Sequence, residues 1–120
     1  MKDIELGEVQ MHFADIIWEN EPISSGELVK ICSEELDWKK STTYTVLRKL
    51  CEKGLFKNEK GLVTSEISKE EFFFKKGEAV LEASYGNSLP AFIAAFISRG
   101  NLSQEEANDI KRIIEEFEKE

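Results

Sequence analysis

The chain has 120 residues, of which 41% are hydrophobic and 33% charged, and its formal net charge is −8. This length predicts one domain or two small lobes, with enough chain to bury a core, and the apolar content argues against intrinsic disorder despite the high charge. No apolar run approaches the roughly 18 residues that a membrane-spanning helix needs. The excess of acidic residues argues at first against a nucleic-acid binder.

The first five residues are acidic and lack the apolar segment of an export signal, so we expect a cytoplasmic protein. Because that compartment is reducing, free thiols are favoured over a disulfide. Cys32 and Cys51 both fall inside apolar helical patterns, and we interpret them as small core residues first and as a disulfide pair second.

Three short helices are predicted over residues 1–54. The first ends before Pro22, the second begins after a serine cap at Ser24 or Ser25, and the third has Ser41 as its N-cap and Gly54 as its left-handed stop. The apolar stripes at helical spacing are Leu6, Val9, Phe13, Ile16 and Ile17, then Leu28, Ile31, Cys32 and Leu36, then Val46, Leu47 and Leu50.

A β-hairpin follows the third helix. Residues 55–57 form the first predicted strand, residues 58–61 have turn chemistry, and residues 62–67 are rich in β-branched residues and form the return strand. Three helices and a hairpin are typical of a winged helix-turn-helix, in which the third helix enters the major groove of DNA.

Three further helices are predicted after residue 67. The fold class is therefore mainly α with a small β-hairpin, with a winged-helix DNA-binding domain at 1–67 and a three-helix dimerisation domain at 68–120. Residues 91–97 are apolar on every side and must be buried on every side. Either the N-terminal lobe or a second copy of the chain could cover them, and we favour a homodimer. The predicted interface is Phe73, Leu81, Leu89, Phe92, Ile93, Phe96, Ile97, Ile110, Ile113, Ile114 and Phe117.

The positive charge is concentrated in one stretch. Residues 38–60 carry a net charge of +5, whereas residues 1–37 carry −8 and residues 61–120 carry −5. Hydroxyl side chains on the third helix can meet base edges or phosphates, and thymine methyls can rest on the Thr methyls. The same residues could instead form an ordinary solvated surface. With the winged order of elements we favour DNA, and the predicted DNA-binding residues are Lys39, Lys40, Ser41, Thr42, Thr43, Tyr44, Thr45, Arg48, Lys49, Lys57 and Lys60.

Several short motifs carry a resemblance to a known family. They are Leu6-Gly7-Glu8-Val9-Gln10, Ile17-Trp18-Glu19, Asp37-Trp38 before Ser41-Thr42-Thr43-Tyr44-Thr45-Val46-Leu47, Lys53-Gly54-Leu55, Gly86-Asn87-Ser88-Leu89-Pro90, Ala94-Ala95-Phe96 and Leu102-Ser103-Gln104-Glu105-Glu106. In order and spacing, over nearly the whole chain, they resemble the penicillinase repressor family of BlaI/MecI/CopY-type winged-helix transcriptional repressors.

The resemblance implies a homodimer that binds palindromic double-stranded DNA operators with TACA/TGTA-type half-sites and represses nearby genes. The signal that releases the repressor is left open, and one candidate comes from the β-lactam-responsive branch of the family, in which a membrane sensor protease cuts an Asn-Phe bond. The aligned bond here is Ala95-Phe96, which lacks the Asn. The copper-responsive branch has a C-terminal cysteine cluster, and because no cysteine follows Cys51 we expect no such metal sensor.

Two other classes of function compete with repression. An enzyme is not expected, because the sequence has one His, no glycine-rich phosphate loop and no Cys-His-acid set. His12 alone is a poor metal site, and no metal or cofactor is predicted. The stronger rival is a winged-helix adaptor that binds proteins rather than DNA, which the acidic net charge suits. Salt-dependent binding to duplex DNA discriminates the two.

Overall fold

The computed structural model describes residues 5–120, which form six helices and three strands. Their bounds are α1 Glu8–Asn20, β1 Ile23–Ser24, α2 Ser25–Leu36, α3 Lys40–Glu52, β2 Phe56–Glu59, β3 Leu62–Ser65, α4 Lys69–Tyr85, α5 Leu89–Ser98 and α6 Gln104–Glu118. The predicted fold class, a winged helix followed by three helices, is confirmed.

The chain divides into two compact units, an N-terminal unit that runs to Gly77 and a C-terminal unit, Glu78–Glu120. The sequence pattern places the boundary at residue 67, before α4, whereas the compact unit takes in the first half of that helix. Phe72 is the reason, because it is fully buried in the N-terminal core and its ring lies 5.5 Å from that of Trp18.

Helix ends in the N-terminal unit follow local capping chemistry. The Ser24 hydroxyl accepts the backbone N–H of Glu27 at 3.1 Å, which confirms a serine cap on α2. The predicted Ser41 cap on α3 is wrong. The helix begins two residues earlier than that cap implies, at Lys40, and its N-cap is Lys39, which makes no side-chain cap bond. Gly54 has φ +88° and stops α3 as predicted.

A three-stranded antiparallel sheet closes the N-terminal unit, with the strand order β1-β3-β2. The hairpin of β2 and β3, here called the wing, turns through Lys60 and Gly61, which both have left-handed backbones. β3 ends at Ser65, short of the predicted residue 67. β1 was not predicted, because a two-residue strand has no periodicity and it pairs with residues that lie far along the chain.

The core of the N-terminal unit lies between the three helices and the sheet. Its buried residues are Phe13, Ala14, Ile16, Ile17, Ile23, Leu28, Cys32, Thr43, Leu47, Leu50, Leu55, Phe56, Val63 and Phe72. The prediction that Val9 belongs to this core is wrong, since its side chain is 53% exposed in the first turn of α1. The Glu21 carboxylate accepts the N–H and the hydroxyl of Ser65, each at 2.8 Å, and so ties the end of α1 to β3.

The C-terminal unit has the caps that the sequence predicts and very little buried surface. Ser88 caps α5, and Ser103 and Glu106 form a reciprocal capping box on α6. No residue of α5 or α6 is buried. Over residues 5–120 no single helix is long and apolar enough to cross a membrane. The bent pair α4 and α5, which meet at 74°, passes that test only when taken together.

Candidate nucleic-acid interface

One face of α3 is exposed and rich in hydroxyl and cationic groups. Thr42, Thr45 and Lys49 recur at intervals of three and four residues and therefore share one side of the helix, with Arg48 and Ser41 beside them. All five side chains are exposed. The opposite side of the helix packs into the core and fixes the orientation of this exposed face.

Thr43 was predicted to be one of the exposed residues of α3, and this prediction is wrong. The residue is fully buried, and its hydroxyl donates to the carbonyl of Lys39 at 3.4 Å. Thr43, Leu47 and Leu50 are four and three residues apart, so they form one buried stripe. The sequence shows that spacing, but Thr43 was placed on the exposed face because threonine is polar. Val46, predicted for the inner stripe, is only half-buried.

Cys32 lies next to Thr43 in this core. Burial raises the pKa of the Cys32 thiol to about 11, while a hydrogen bond with Thr43 acts in the opposite direction and the charge of Glu35 adds to the increase. Burial also raises the pKa of the half-buried Cys51. Both thiols are free, as predicted, and both are held in their neutral form at physiological pH.

Tyr44 is half-buried, and its hydroxyl donates to the hydroxyl oxygen of Ser25 at 2.9 Å. The backbone N–H of Ser25 in turn donates to the carbonyl of Gly61 at 2.8 Å, in the turn of the wing. A cavity of about 370 Å³ adjoins these groups, and its lining residues are Tyr44, Leu47, Arg48, Cys51 and Asn58. Sequence reasoning used Ser25 only as a capping candidate and missed its contact with α3.

The predicted lysines differ in their surroundings. Lys39 and Lys40 are exposed at the start of α3, and Lys60 is exposed at the tip of the wing. The Lys57 ammonium lies 3.1 Å from Glu59 and 4.0 Å from Glu66, and the hydrogen bond with Glu59 is the main reason that its pKa is raised. Acidic neighbours on the wing therefore compete with any other anion for Lys57.

Apolar side chains cluster on the surface of the C-terminal unit. The predicted interface residues are half-buried at Leu81, Phe92, Ile93 and Ile110 and exposed at Leu89, Phe96, Ile97, Ile113, Ile114 and Phe117. Two cavities of about 300 and 370 Å³ lie between α5 and α6, and Ile93 and Ile110 line both. Phe73, also predicted for this interface, is 47% exposed but belongs to the N-terminal unit.

The part of the chain from Glu5 onwards holds no group of three or more His, Cys, Asp or Glu side chains that could bind a metal ion. His12 pairs instead with Glu35, with 3.3 Å between the ring Nε2 and the carboxylate oxygen, and both side chains are about half exposed. This contact joins α1 to α2 on the surface.

A family model described as "Penicillinase repressor" matches residues 6–116. The chain belongs to the penicillinase repressor family. One relative, the penicillinase repressor of Bacillus licheniformis, is 26% identical over 97% of this chain and 94% of its own length. The methicillin resistance regulatory protein MecI of Staphylococcus aureus (strain Mu50 / ATCC 700699) is 20% identical over 94% of this chain and 95% of its own.

A penicillinase repressor of Staphylococcus aureus is also 20% identical, over 98% of this chain and 97% of its own length. The match therefore takes in both the winged helix and the three C-terminal helices of this family member. Relatives that are named as repressors and regulatory proteins place the chain among transcription regulators rather than enzymes. This confirms the predicted role in transcription regulation and the prediction that the protein is not an enzyme.

Proposed function

We propose that this member of the penicillinase repressor family binds operator DNA as a homodimer and blocks transcription of nearby genes. The observation that carries the proposal is the exposed face of α3, where Thr42, Thr45, Arg48 and Lys49 stand opposite the buried Thr43, Leu47 and Leu50. A helix whose inner side is anchored in a core can present its outer side to the major groove without rearrangement.

The groups on this face suit two kinds of DNA contact. Thr42 and Thr45 are short and carry a hydroxyl and a methyl, which fit base edges and the thymine methyl. Arg48, Lys49, Lys39 and Lys40 are cationic and suit the phosphate backbone, which positions a protein without reading sequence. Specificity would therefore come from the threonines and most of the affinity from the cations.

A second copy of the chain is the proposed cover for the apolar surface of the C-terminal unit. Exposed large apolar groups on α5 and α6 include Phe96 at 41%, Ile97 at 58%, Ile113 at 66% and Phe117 at 73%. Contiguous apolar surface of this kind marks an interaction site in a folded protein. A twofold-symmetric dimer would also match the symmetry of a palindromic operator.

Release from the operator through a membrane sensor protease is the remaining part of the proposal. The aligned bond, between Ala95 and Phe96, lies inside α5, so its cleavage requires that helix to unwind locally. Co-expression with the sensor protease of a β-lactam-responsive relative, followed by mass spectrometry, tests this step. Cleavage between Ala95 and Phe96 supports it, and an intact chain under inducing conditions contradicts it.

The DNA-binding proposal is tested by fluorescence anisotropy with a palindromic TACA/TGTA duplex and a scrambled duplex of the same composition. We expect tighter binding to the palindrome and a loss of affinity with rising salt for both, because cations on the protein release counterions from DNA. Absence of binding to either duplex at low salt would contradict repression through DNA and would support a protein-binding adaptor.

A further inference from the structure

The hydroxyl of Tyr44 does not point freely into solvent. It donates to Ser25 at 2.9 Å, and this bond links α3 to the first residue of α2. Tyr44 was predicted to touch DNA because it was counted among the outward residues of the third helix. The bond shows that the phenol already has a partner within the protein.

Ser25 also contacts the wing. Its backbone N–H donates to the Gly61 carbonyl at 2.8 Å, and its hydroxyl oxygen lies 3.7 Å from the position that a Cβ on Gly61 would occupy. The preceding residue, Ser24, pairs with Leu62 in the sheet. One short chain of contacts therefore runs from Tyr44 on α3, through Ser25, to the turn of the wing.

A cavity lies beside this chain of contacts. The space of about 370 Å³ has the α3 residues Tyr44, Leu47, Arg48 and Cys51 on one side and Asn58 of the wing on the other. Side chains therefore do not fill the whole space between α3 and the wing. Core contacts of Leu47 and Leu50 with the sheet already hold the two elements together, and the bond between Tyr44 and Ser25 adds a polar contact beside this space.

We propose that Tyr44 is a positioning residue, which acts through Ser25 to hold the wing at a fixed distance from α3. The inference rests on the proposed function, since it concerns how α3 and the wing meet one duplex together. Two DNA-contacting elements bind most tightly when their spacing is fixed in the free protein, because binding then costs no conformational entropy for fixing it. Operator preference should depend on this bond without a direct contact between the Tyr44 hydroxyl and DNA.

The test compares Tyr44→Phe, which keeps the ring and loses the donor, with Ser25→Ala, which keeps the donor and loses its acceptor. We expect each variant to lower the preference for operator over scrambled duplex about fivefold, the effect of one hydrogen bond of ordinary strength. The double variant should lose no more than either single variant, because both changes break the same bond. Ser25→Thr keeps a hydroxyl and should restore the preference to within about twofold of the original.

A matched control is Tyr85→Phe, which removes the other tyrosine hydroxyl of the chain, in the C-terminal unit, and should leave operator preference unchanged. Circular dichroism and thermal unfolding show whether each variant is folded. A direct DNA contact predicts a different result, in which Tyr44→Phe weakens operator binding and Ser25→Ala does not. That result, additive losses in the double variant, or no loss in either single variant would overturn the proposal.

Hydrogen exchange of the Ser25 amide tests the link without DNA. Because this N–H is bonded to Gly61, loosening of the wing in Tyr44→Phe should speed its exchange several-fold in the free protein. If the unmodified protein binds no duplex, the proposed function fails, but this measurement still shows whether Tyr44 holds the wing through Ser25. An unchanged exchange rate in Tyr44→Phe would overturn the positioning role.

Discussion

The Lys57 ammonium lies 3.1 Å from a carboxylate oxygen of Glu59, two residues further along the same strand of the wing. Residues two apart on a strand project to the same side, so the pairing follows from the sequence Lys57-Asn58-Glu59 and the strand itself. Glu66 adds a second acid at 4.0 Å. The wing therefore presents less positive charge than its lysines suggest.

Replacing Glu59 with Gln should strengthen DNA binding. Lys57 would then keep only Glu66 as an acidic neighbour, at 4.0 Å, and could meet a phosphate more readily. We expect affinity to rise about two- to fivefold on operator and scrambled duplexes alike, with a salt slope steeper by up to about one. Stability should hardly change, because exposed ion pairs contribute little to it. Glu34→Gln is the matched control, with the same charge change on α2. Equal gains in both variants would show a general charge effect rather than the release of Lys57.

Thr43 and Thr45 should respond to substitution in opposite ways. Thr45 is exposed, so Thr45→Ala should leave the melting temperature unchanged and lower operator preference by about 1–3 kcal/mol, the range for one good base contact. Thr43 is fully buried, so Thr43→Ala should lower the free energy of unfolding by about 1–2 kcal/mol and spare operator preference. Urea denaturation and anisotropy measure the two effects. A loss of operator preference in Thr43→Ala with unchanged stability would contradict the buried position.

The sequence predicts the order of helices and hairpin because each element leaves a local signal. The serine cap of α2, the capping box of α6 and Gly54 after α3 all lie where the pattern placed them. Errors arise where a residue's type and its position disagree. Thr43 is polar but falls on the buried stripe, and Val9 is apolar but lies beyond the part of α1 that the core covers.

Contacts between distant segments leave no such local signal. The strand β1 exists because Ile23 and Ser24 meet β3 across the fold, and the bond between Tyr44 and Ser25 joins residues on different helices. The sequence therefore predicted which helix carries the candidate site and most of its outward residues. It could not predict that Ser25 holds Tyr44, because that contact depends on how elements pack. The pairing of Lys57 with Glu59 was missed for another reason, since the predicted strand ended at residue 57 and left Glu59 in the turn.

Phe96→Asp should convert a dimer into monomers. Phe96 is 41% exposed on α5 and belongs to the apolar surface that a second copy is proposed to cover. An unpaired carboxylate buried there would cost several kcal/mol of association free energy. Sedimentation at micromolar concentration measures the change, and Asn101→Asp, which adds the same charge in an exposed turn, should remain dimeric. An unmodified protein that sediments as a monomer would contradict the proposed dimer.

The buried thiol of Cys32 should make stability fall at high pH. Its pKa is raised by burial from 9.0 to about 11, so between these values the thiol ionises in the unfolded chain and stays protonated in the folded one. Stability from this group is therefore complete below pH 9 and should decline by about 2 kcal/mol as pH rises to 11.

Urea denaturation across this range, compared with Cys32→Ala, isolates the contribution of the thiol. The variant is expected to be less stable below pH 9 because it leaves a cavity, but its curve should lack the decline that Cys32 causes, so the two curves should converge towards pH 11. Parallel curves for the two proteins would mean that the Cys32 thiol has the same pKa in the folded and unfolded states.

The salt dependence of DNA affinity should differ between low and physiological salt, because basic and acidic residues occupy different segments of this protein. Residues 38–60 carry +5, whereas residues 1–37 and 61–120 carry −8 and −5. At 0.15 M salt the Debye length is about 8 Å, so acids away from the phosphates are screened while α3 touches them. At about 0.01 M the Debye length reaches about 30 Å, and the acidic segments then repel the duplex.

Affinity measured from about 0.02 to 0.3 M salt should therefore give a log–log plot that flattens at low salt, below the line expected from counterion release alone. A straight, steep line throughout would show that the acidic segments have no electrostatic influence on the bound duplex.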